Sequence, residues 1–390
     1  MRKVLHLIPF PIANALHGGQ IRARETNAVL RGAGLDVRTA CIFDAGLYPN
    51  ASPDIDLSGE LPSAPWQLRD FVTAKAFAEN DRKFGAFAEL LNAAKPDLIV
   101  FEEPWLGKAL LKAKAQGLFT CPILYNSYNV EFIAKGNILA DAGISDREKW
   151  VDEIRDLERE IVSSAAVTAC TAEDAKTLSP WAETEISIAP NGATKRKRSH
   201  LSGILHQGIS PNSRYALFVG SGHPPNVAGF RDLVLRSLPA LTSAHRVIVA
   251  GSVCDPLYSE LESSGLPYMS RDKIGLLGTV TDFALDCLIK NASAILLPIT
   301  YGGGSNLKTA EALLSGKPIV ATRKAFRAYE DFSDADTVTL ADTPKEFGSA
   351  IRHALSRESR KAKEDPRLER LLWSNTLKPI VEIASRLARV

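Results

Sequence analysis

No run in these 390 residues reaches the ~18 consecutive apolar residues that a membrane-spanning helix needs. Cysteine is scarce and scattered. The five cysteines, Cys41, Cys121, Cys170, Cys254 and Cys287, include no C-x-x-C pair. Their odd number and apolar surroundings argue against a disulfide framework and for reduced core thiols in a cytoplasmic protein. An excess of one charge is also lacking. The net charge is +2 and the pI about 8.2, too balanced for a general nucleic-acid binder. No Gly pair completes G-x-G-x-x-G. The stretch nearest to a P-loop fails because Leu307 stands where glycine must precede Lys308. No Asp-x-Asp pair stands near the glycine-rich loops, so no metal and no cofactor is expected. No repeat of fixed period is present.

What remains is ordinary globular composition, 45% hydrophobic and 24% charged, in a chain long enough for two domains. Short apolar runs alternate with helical patterns from end to end, the mark of βαβ units. The opening "MRKVLHLIPFP" reads as a first strand and not as a signal peptide. Strands are expected at 3–8, 37–43, 97–101, 122–127, 165–170 and 185–190. A second set is expected at 215–220, 245–251, 274–278, 293–299, 318–322 and 337–341. Helices fit 19–31, 66–93, 105–116, 146–163, 225–239, 282–291, 305–315, 344–357 and 368–388, with 44–65 as loop. The stretch 190–214, rich in Gly, Ser, Pro and basic residues, separates the two sets. Its "TKRKR" is best taken as a solvated charge run. The fold class is α/β: two Rossmann-like, doubly wound parallel-sheet domains facing a cleft. Residues 1–190 form the first and 191–371 the second, with a helix over 372–390 packing back on the first.

Three glycine-rich loops follow strands and open helices. "YGGGSNLKTAEALLSGKPIVAT" (301–322) begins at the carboxyl end of a buried strand. Ligands in open α/β sheets bind beyond such strand ends. A helix start there offers free N–H groups and a partial positive charge to an anion. Ser305 is a good N-cap; Gly316 and Pro318 stop the helix. Leu307, Ala310, Leu313 and Leu314 form the core stripe, leaving Lys308 and Glu311 together on another face. Lys308 is misplaced against the helix dipole unless a phosphate meets it. "HGGQIRARETNAVL" (17–30) and "GSGHPPNVAGF" (220–230) repeat the pattern. Three such loops describe a ligand held between two domains.

These pieces together resemble GT-B glycosyltransferases of the large retaining group marked by an E-x7-E motif. The resemblance rests on "GGQIRA", on "YNVE" (128–131), similar to H-N-x-E, and on "LEREIVSSAAVTACTAEDAKTL" followed by "APNGAT". It continues through "FVGSGHPPNVAGF" and "GLLGTVTDFALDCLIKNASAILLPI", then "GGGSNLKTAEALLSGKPIVAT". The resemblance implies transfer of a sugar, with retention, from a nucleotide sugar (UDP- or GDP-linked) to an acceptor hydroxyl. The acceptor would be a polysaccharide, glycan or lipid-linked precursor, handled in the cytoplasm or at the inner face of the membrane, with no nucleic acid as partner. It implies donor binding by Gly220, Gly222, His223, Gly303, Gly304, Ser305, Asn306, Lys308 and Glu311. The N-terminal loop would contribute Gly18, Gly19, Gln20 and Arg22, and the acceptor side Asn126, Tyr128 and Glu131. Lys308, Glu311, Tyr128 and Asn129 would be the catalytic set.

The sequence departs from that pattern at four places. Gly303 replaces the first Glu of the motif, Ser221 and Asn226 replace the usual Arg and Lys at the diphosphate, and Tyr128 replaces His. Some members of the group share this glycine-rich form, so an active subfamily with Lys308 as main phosphate cation is expected. A nucleotide-sugar epimerase and a non-catalytic sugar or nucleotide binder are the alternatives.

Overall fold

The computed structural model describes residues 2–15, 17–59, 63–195, 214–356 and 365–388. The basic run of the 190–214 stretch lies outside them beyond Lys195. By contacts the chain divides into two units. The first comprises Met1–Gly192, Gly303–Ser305 and Trp373–Val390; the second comprises Ala193–Gly302 and Asn306–Leu372.

In the first unit the order is β1 (Lys3–Ile8), α1 (Gly18–Gly32), β2 (Asp36–Phe43), β3 (Ile55–Asp56), α2 (Arg69–Glu79) and α3 (Asp81–Ala94). There follow β4 (Leu98–Glu102), α4 (Gly107–Ala115), β5 (Ile123–Asn126), α5 (Glu131–Asp141), α6 (Arg147–Val162), β6 (Ala166–Ala169), α7 (Ala172–Leu178) and β7 (Ser187–Ile188). The second unit runs β8 (Tyr215–Val219), α8 (Pro224–Gly229), β9 (Arg246–Ala250), α9 (Cys254–Ser263), α10 (Tyr268–Arg271) and β10 (Ile274–Leu276). It continues with α11 (Asp282–Asn291), β11 (Ala294–Leu297), α12 (Leu307–Ser315), β12 (Ile319–Ala321), β13 (Val338–Leu340) and α13 (Pro344–Ser356). Then α14 (Trp373–Thr376) and α15 (Lys378–Leu387) return to the first unit.

Both sheets are parallel throughout. Their orders are β3-β2-β1-β4-β5-β6-β7 and β10-β9-β8-β11-β12-β13. The order reverses between β1 and β4 in the first and between β8 and β11 in the second. Those are the switch points where helices leave on opposite faces and open a crevice at the strand carboxyl ends. Both faces of the second sheet are covered. On β11, Ile295 and Leu297 join one buried cluster while Ala294 and Leu296 join another, the period-two alternation of a strand. Gly229 lets the helix after β8 cross the end of β11: a Cβ there would lie 1.7 Å from the Pro298 carbonyl oxygen.

All twelve expected strands form. The first sheet has a seventh, β3, inside the stretch read as loop. Two long helices expected from periodicity are broken. Asn80 interrupts 66–93: it is extended, ends α2, and its side chain accepts the Lys83 N–H at 3.0 Å to start α3. The 368–388 helix breaks at the extended Leu372 and restarts with Pro379 in the first turn of α15. Helices α5, α7 and α9 were not foreseen; each is short and begins within a few residues of a strand or turn. Helix α12 begins two residues later than expected, with Asn306 and not Ser305 as its cap. On it Thr309, Ala310, Ala312 and Leu313 are buried, while Leu307 and Leu314 are half-buried.

The start of α5 is satisfied from another helix. Its cap residue, Val130, makes no side-chain hydrogen bond. Instead Glu158 of α6 accepts the N–H groups of Glu131 at 3.0 Å and Phe132 at 2.8 Å. Glu158 is 0% exposed. Burial, with the nearby Glu131 carboxylate, pushes its carboxyl up to about 8, against the pull of those two N–H groups. Between pH about 4.5 and 8 the folded chain therefore holds a proton that the unfolded chain has released. Stability should be full below that window and fall by a few kcal/mol as pH rises through it. Urea unfolding at pH 5, 6.5 and 8 should show that slope, and Glu158→Gln should flatten it. Identical slopes in the two proteins would remove Glu158 as the source.

Candidate functional site

In the second unit the loops at the switch point are tied by one hydrogen-bonded series. After β8, the Asn226 amide donates to the Ser221 carbonyl at 2.8 Å and to its hydroxyl at 3.3 Å. The amide oxygen of Asn226 accepts from Lys308 Nζ at 2.7 Å. An ammonium can only donate, so this contact fixes which end of the Asn226 amide faces it. Ser221 and Asn226, which stand where a cation clamp was missed in the sequence, thus position the remaining cation. Lys308 lies in the first turn of α12. Burial lowers it to about 8, and Glu311 one turn on opposes the shift. The helix start adds a further field that disfavours a cation. Its cap, Asn306, makes no side-chain capping bond, and Asn306 Nδ2 is a buried donor with no partner. Next to it the Arg327 guanidinium donates to the Gly302 carbonyl. An ammonium and an orphan amide donor thus belong to one helix start that has no side-chain cap. Together they would satisfy an anion with several oxygens. Gly220 and the exposed Gly222 and His223 lead into α8 on the same edge, with His223 as its cap.

The first unit is organised around Arg22, which is 1% exposed. Its guanidinium donates to the Ala189 carbonyl at 2.7 Å, to Asn126 Oδ1 at 3.0 Å and to Asn191 Oδ1 at 3.3 Å. It also lies 5.2 Å from the centre of the Tyr128 ring. Behind it, Asn126 Nδ2 donates to Glu102 at 2.6 Å, and Glu102 meets His6 Nε2 at 2.6 Å. The Asn27 amide donates to His6 Nδ1 at 3.2 Å, which assigns the ring proton to Nε2, facing the carboxylate. In front, the Asn191 N–H donates to Ser305 Oγ at 2.7 Å and its side chain to the Ser305 carbonyl at 2.8 Å. Ser305 therefore serves this junction and does not cap α12.

The glycines of "GGGS" answer to this packing. Gly304 has φ +61, and a Cβ on it would lie 2.2 Å from the Tyr128 carbonyl and 2.7 Å from Asn129 Oδ1. Gly303 likewise faces Asn129. Gly18 opens α1, Gln20 completes its capping box with His17, and Tyr128 reaches back to the Gly19 carbonyl at 3.4 Å. Glu131 accepts from Asn129 at 2.8 Å and is buried. Asn126 is wholly buried and engaged on both sides. His6 is fully buried and paired with Glu102. Glu102 and Glu103 were not singled out, although "FEEPW" puts two carboxylates directly after an apolar strand, where a core would not use them. Among the described residues no group of three or more His, Cys, Asp or Glu could hold a metal ion.

Residues 213–357 match the family described as "Glycosyl transferases group 1". No curated protein matches the chain. Among solved structures it is similar to a sucrose-phosphate synthase from Thermosynechococcus elongatus, at 17% identity and TM-score 0.69, over 100% of this chain and 98% of that one. Anabaena Alr3699/HepE, solved in complex with UDP and glucose, has 14% identity and TM-score 0.57 over 100% of both chains. A UDP-N-acetylglucosamine 2-epimerase from Rickettsia bellii has 15% identity and TM-score 0.58 over 100% of this chain and 97% of that one. The fold is GT-B, and the family match lies within the second unit.

Arg22→Lys keeps the charge but loses the fork that reaches three acceptors at once. It should lower stability by about 2–4 kcal/mol, because the Ala189 carbonyl is left buried without its donor and Asn126 Oδ1 keeps only the Thr168 hydroxyl. Urea unfolding measures this, and a change below about 0.5 kcal/mol would mean that the junction is held without the fork.

Proposed function

We propose that this glycosyltransferase takes its sugar from a nucleoside-diphosphate sugar, UDP- or GDP-linked, and passes it with retention to a hydroxyl of a carbohydrate or lipid-linked acceptor, without a metal. One observation carries the reading. Inside the matched domain, at the switch point of the sheet, a half-buried lysine is held by Asn226 at a helix start whose cap residue makes no side-chain bond. In the reaction the donor C1–O bond breaks, the diphosphate leaves with its electron pair, and the acceptor oxygen bonds C1 and gives up its proton. Negative charge grows on the leaving oxygens, so donors already aimed at them act most strongly in the transition state. Lys308, Asn306 Nδ2 and the first N–H groups of α12 are those donors. Glu311, one turn further on, accepts from the ribose hydroxyls. The loop glycines Gly220, Gly222, Gly303 and Gly304 keep the approach free of side chains.

Incubating donor without acceptor separates the rival readings. A transferase releases sugar and nucleotide slowly, an epimerase yields an isomerised donor, and a binder yields neither.

The proton on Lys308 gives a sharper measurement. Without ligand its pKa is about 8, so it is increasingly neutral above that pH. The unfolded chain binds the extra proton between pH 8 and 10.5, and the empty protein gains stability as pH rises there. A bound diphosphate reverses this by favouring the ammonium. Affinity for UDP or GDP, whichever binds, should fall up to tenfold per pH unit above pH 8, with proton uptake visible by calorimetry in buffers of different ionisation enthalpy. The bare nucleoside should show neither effect, and Lys308→Ala should weaken only the diphosphate. A flat pH profile from 7 to 9.5, or equal losses for both ligands, would leave Lys308 as a loop tether. Turnover should also survive EDTA. Loss with chelator that Mn²⁺ or Mg²⁺ restores would establish a metal site and remove that part of the reading.

A further inference from the structure

Among the described residues the two sheets end at four edge strands, β3, β7, β10 and β13. An edge strand presents unpaired N–H and C=O groups, and proteins guard such edges with lysine, proline, a bulge or a covering element. β3 and β7 are only two residues long. β10, Ile274-Gly275-Leu276, is a half-buried apolar strand with no charge and no proline. Lys273 directly precedes it but does not guard it. Its ammonium is turned inward and donates to the Leu238 carbonyl at 3.0 Å and the Leu241 carbonyl at 2.7 Å.

The backbone groups that β10 leaves open follow from its ladder with β9. Lys273 gives its carbonyl to the Val247 N–H, and the Leu277 N–H donates to the Val249 carbonyl. By the alternation of a ladder, the groups of Gly275 also face β9, so both groups of Ile274 and of Leu276 face outward. Exposed apolar side chains gather around this edge. Tyr258 lies on α9, Tyr268 and Met269 on α10 and Phe283 on α11, the helices next to β10 in the chain. Tyr268 and Met269 are 82% and 77% exposed. Apolar groups clustered in this way mark an interaction surface.

We propose that β10 pairs antiparallel with β10 of a second copy of this chain, across a two-fold axis at Gly275. Ile274 of each copy then faces Leu276 of the other, and the two pairs exchange every outward N–H and C=O. Gly275 meets its counterpart as the close pair between them, with Cα atoms about 4.5 Å apart. Symmetry selects a second copy over an unrelated strand. Tyr268 and Met269 precede β10 and Phe283 follows it, so the two-fold brings the apolar group at one end of each copy to the other end of its mate. The charges at the edge do not oppose this. Asp272 lies 4.0 Å from Arg246 and falls opposite Gly278, and Arg271 pairs with Glu262 at 3.6 Å. The same operation on β13 would set Asp336 against Asp342. Three aromatic side chains at up to roughly 200 Å² each, with Met269 and the strand edge, approach the ~800 Å² per partner of a stable interface. β10 is three strands from β11, so the pairing leaves the Lys308 loop untouched.

The test uses the whole chain. Sedimentation over about 1–100 μM should reveal a species of twice the 42.3 kDa chain mass. Met269→Asp combined with Phe283→Asp changes only exposed side chains and sets carboxylates against one another across the axis. It should raise the dimer dissociation constant at least about tenfold. Gly275→Cys places a thiol from each copy within the Cα separation that a disulfide takes. Its Cβ would meet only the end of the Ile248 side chain, at 2.9 Å. Mild oxidation should convert this variant to a covalent dimer that dithiothreitol releases. Wild type, whose five cysteines are all buried or half-buried, should not cross-link. A wild type that stays monomeric, a dimer that the two aspartates leave intact, or a Gly275→Cys protein that melts with wild type yet does not cross-link would each overturn the proposal.

Discussion

Arg22 is the interaction on which the first unit's functional edge depends. Two segments far from it in sequence end at its guanidinium: β5 through Asn126, and the stretch after β7 through Ala189 and Asn191. Asn191 in turn holds Ser305, so residues 303–305 are fixed to the same junction. A guanidinium suits this place because its donors lie in one plane and reach several acceptors without reorganising. Its charge is met by acceptors and by Glu102 one step behind, through Asn126. That keeps a buried cation tolerable where an isolated one would not be. Gly304 then has no freedom of identity, because the space a Cβ needs is taken by the Tyr128 carbonyl and Asn129, while Gly303 packs tightly on the Asn129 side chain.

The second unit solves the opposite problem. There the cation is half-buried at the start of a helix that repels it, with the Glu311 carboxylate one turn on, and its proton is correspondingly loose. Holding Lys308 by a neutral amide leaves its charge unspent, which a carboxylate partner would not. The replacement of a cation clamp by Ser221 and Asn226 thus changes how the charge is delivered: fewer positive groups, one of them pre-aimed and short of counter-charge. Such a group gains more from an arriving anion than a lysine already paired would.

The fold was legible because its signals are long-range repetitions. Twelve strand-sized apolar runs separated by helical periods leave little choice but parallel sheets, and only β3, two residues long, escaped. Helix continuity was less legible. Asn80 and Pro379 are ordinary stop and start signals that an unbroken apolar stripe obscured. Lys308, Glu311 and the glycine loops stood out because they break a local rule: glycines and a cation at a helix start. The wrong local assignment, Ser305 as cap, came from reading α12 alone. Its true partner, Asn191, is 114 residues away. The Arg22–Asn126–Glu102–His6 series was illegible for the same reason, since each member is unremarkable until the sheet brings β1, β4 and β5 side by side.

The two switch points are chemically opposite, and that difference follows from what each strand end supplies. β11 is followed by glycines and a helix start, which present N–H groups and one lysine. β4 is followed by Glu103 and Pro104, which present carboxyl oxygen and no N–H at the proline. An edge built the first way is rich in donors, and one built the second way is rich in acceptors. Group transfer needs both kinds, because the leaving group gains negative charge while the attacking hydroxyl must lose a proton. In this chain the division is made by backbone and residue type at two strand ends, each inside its own sheet. The strained Glu103 and the loosened proton of Lys308 are then two forms of one arrangement: groups that the surrounding fold keeps in an unfavourable state.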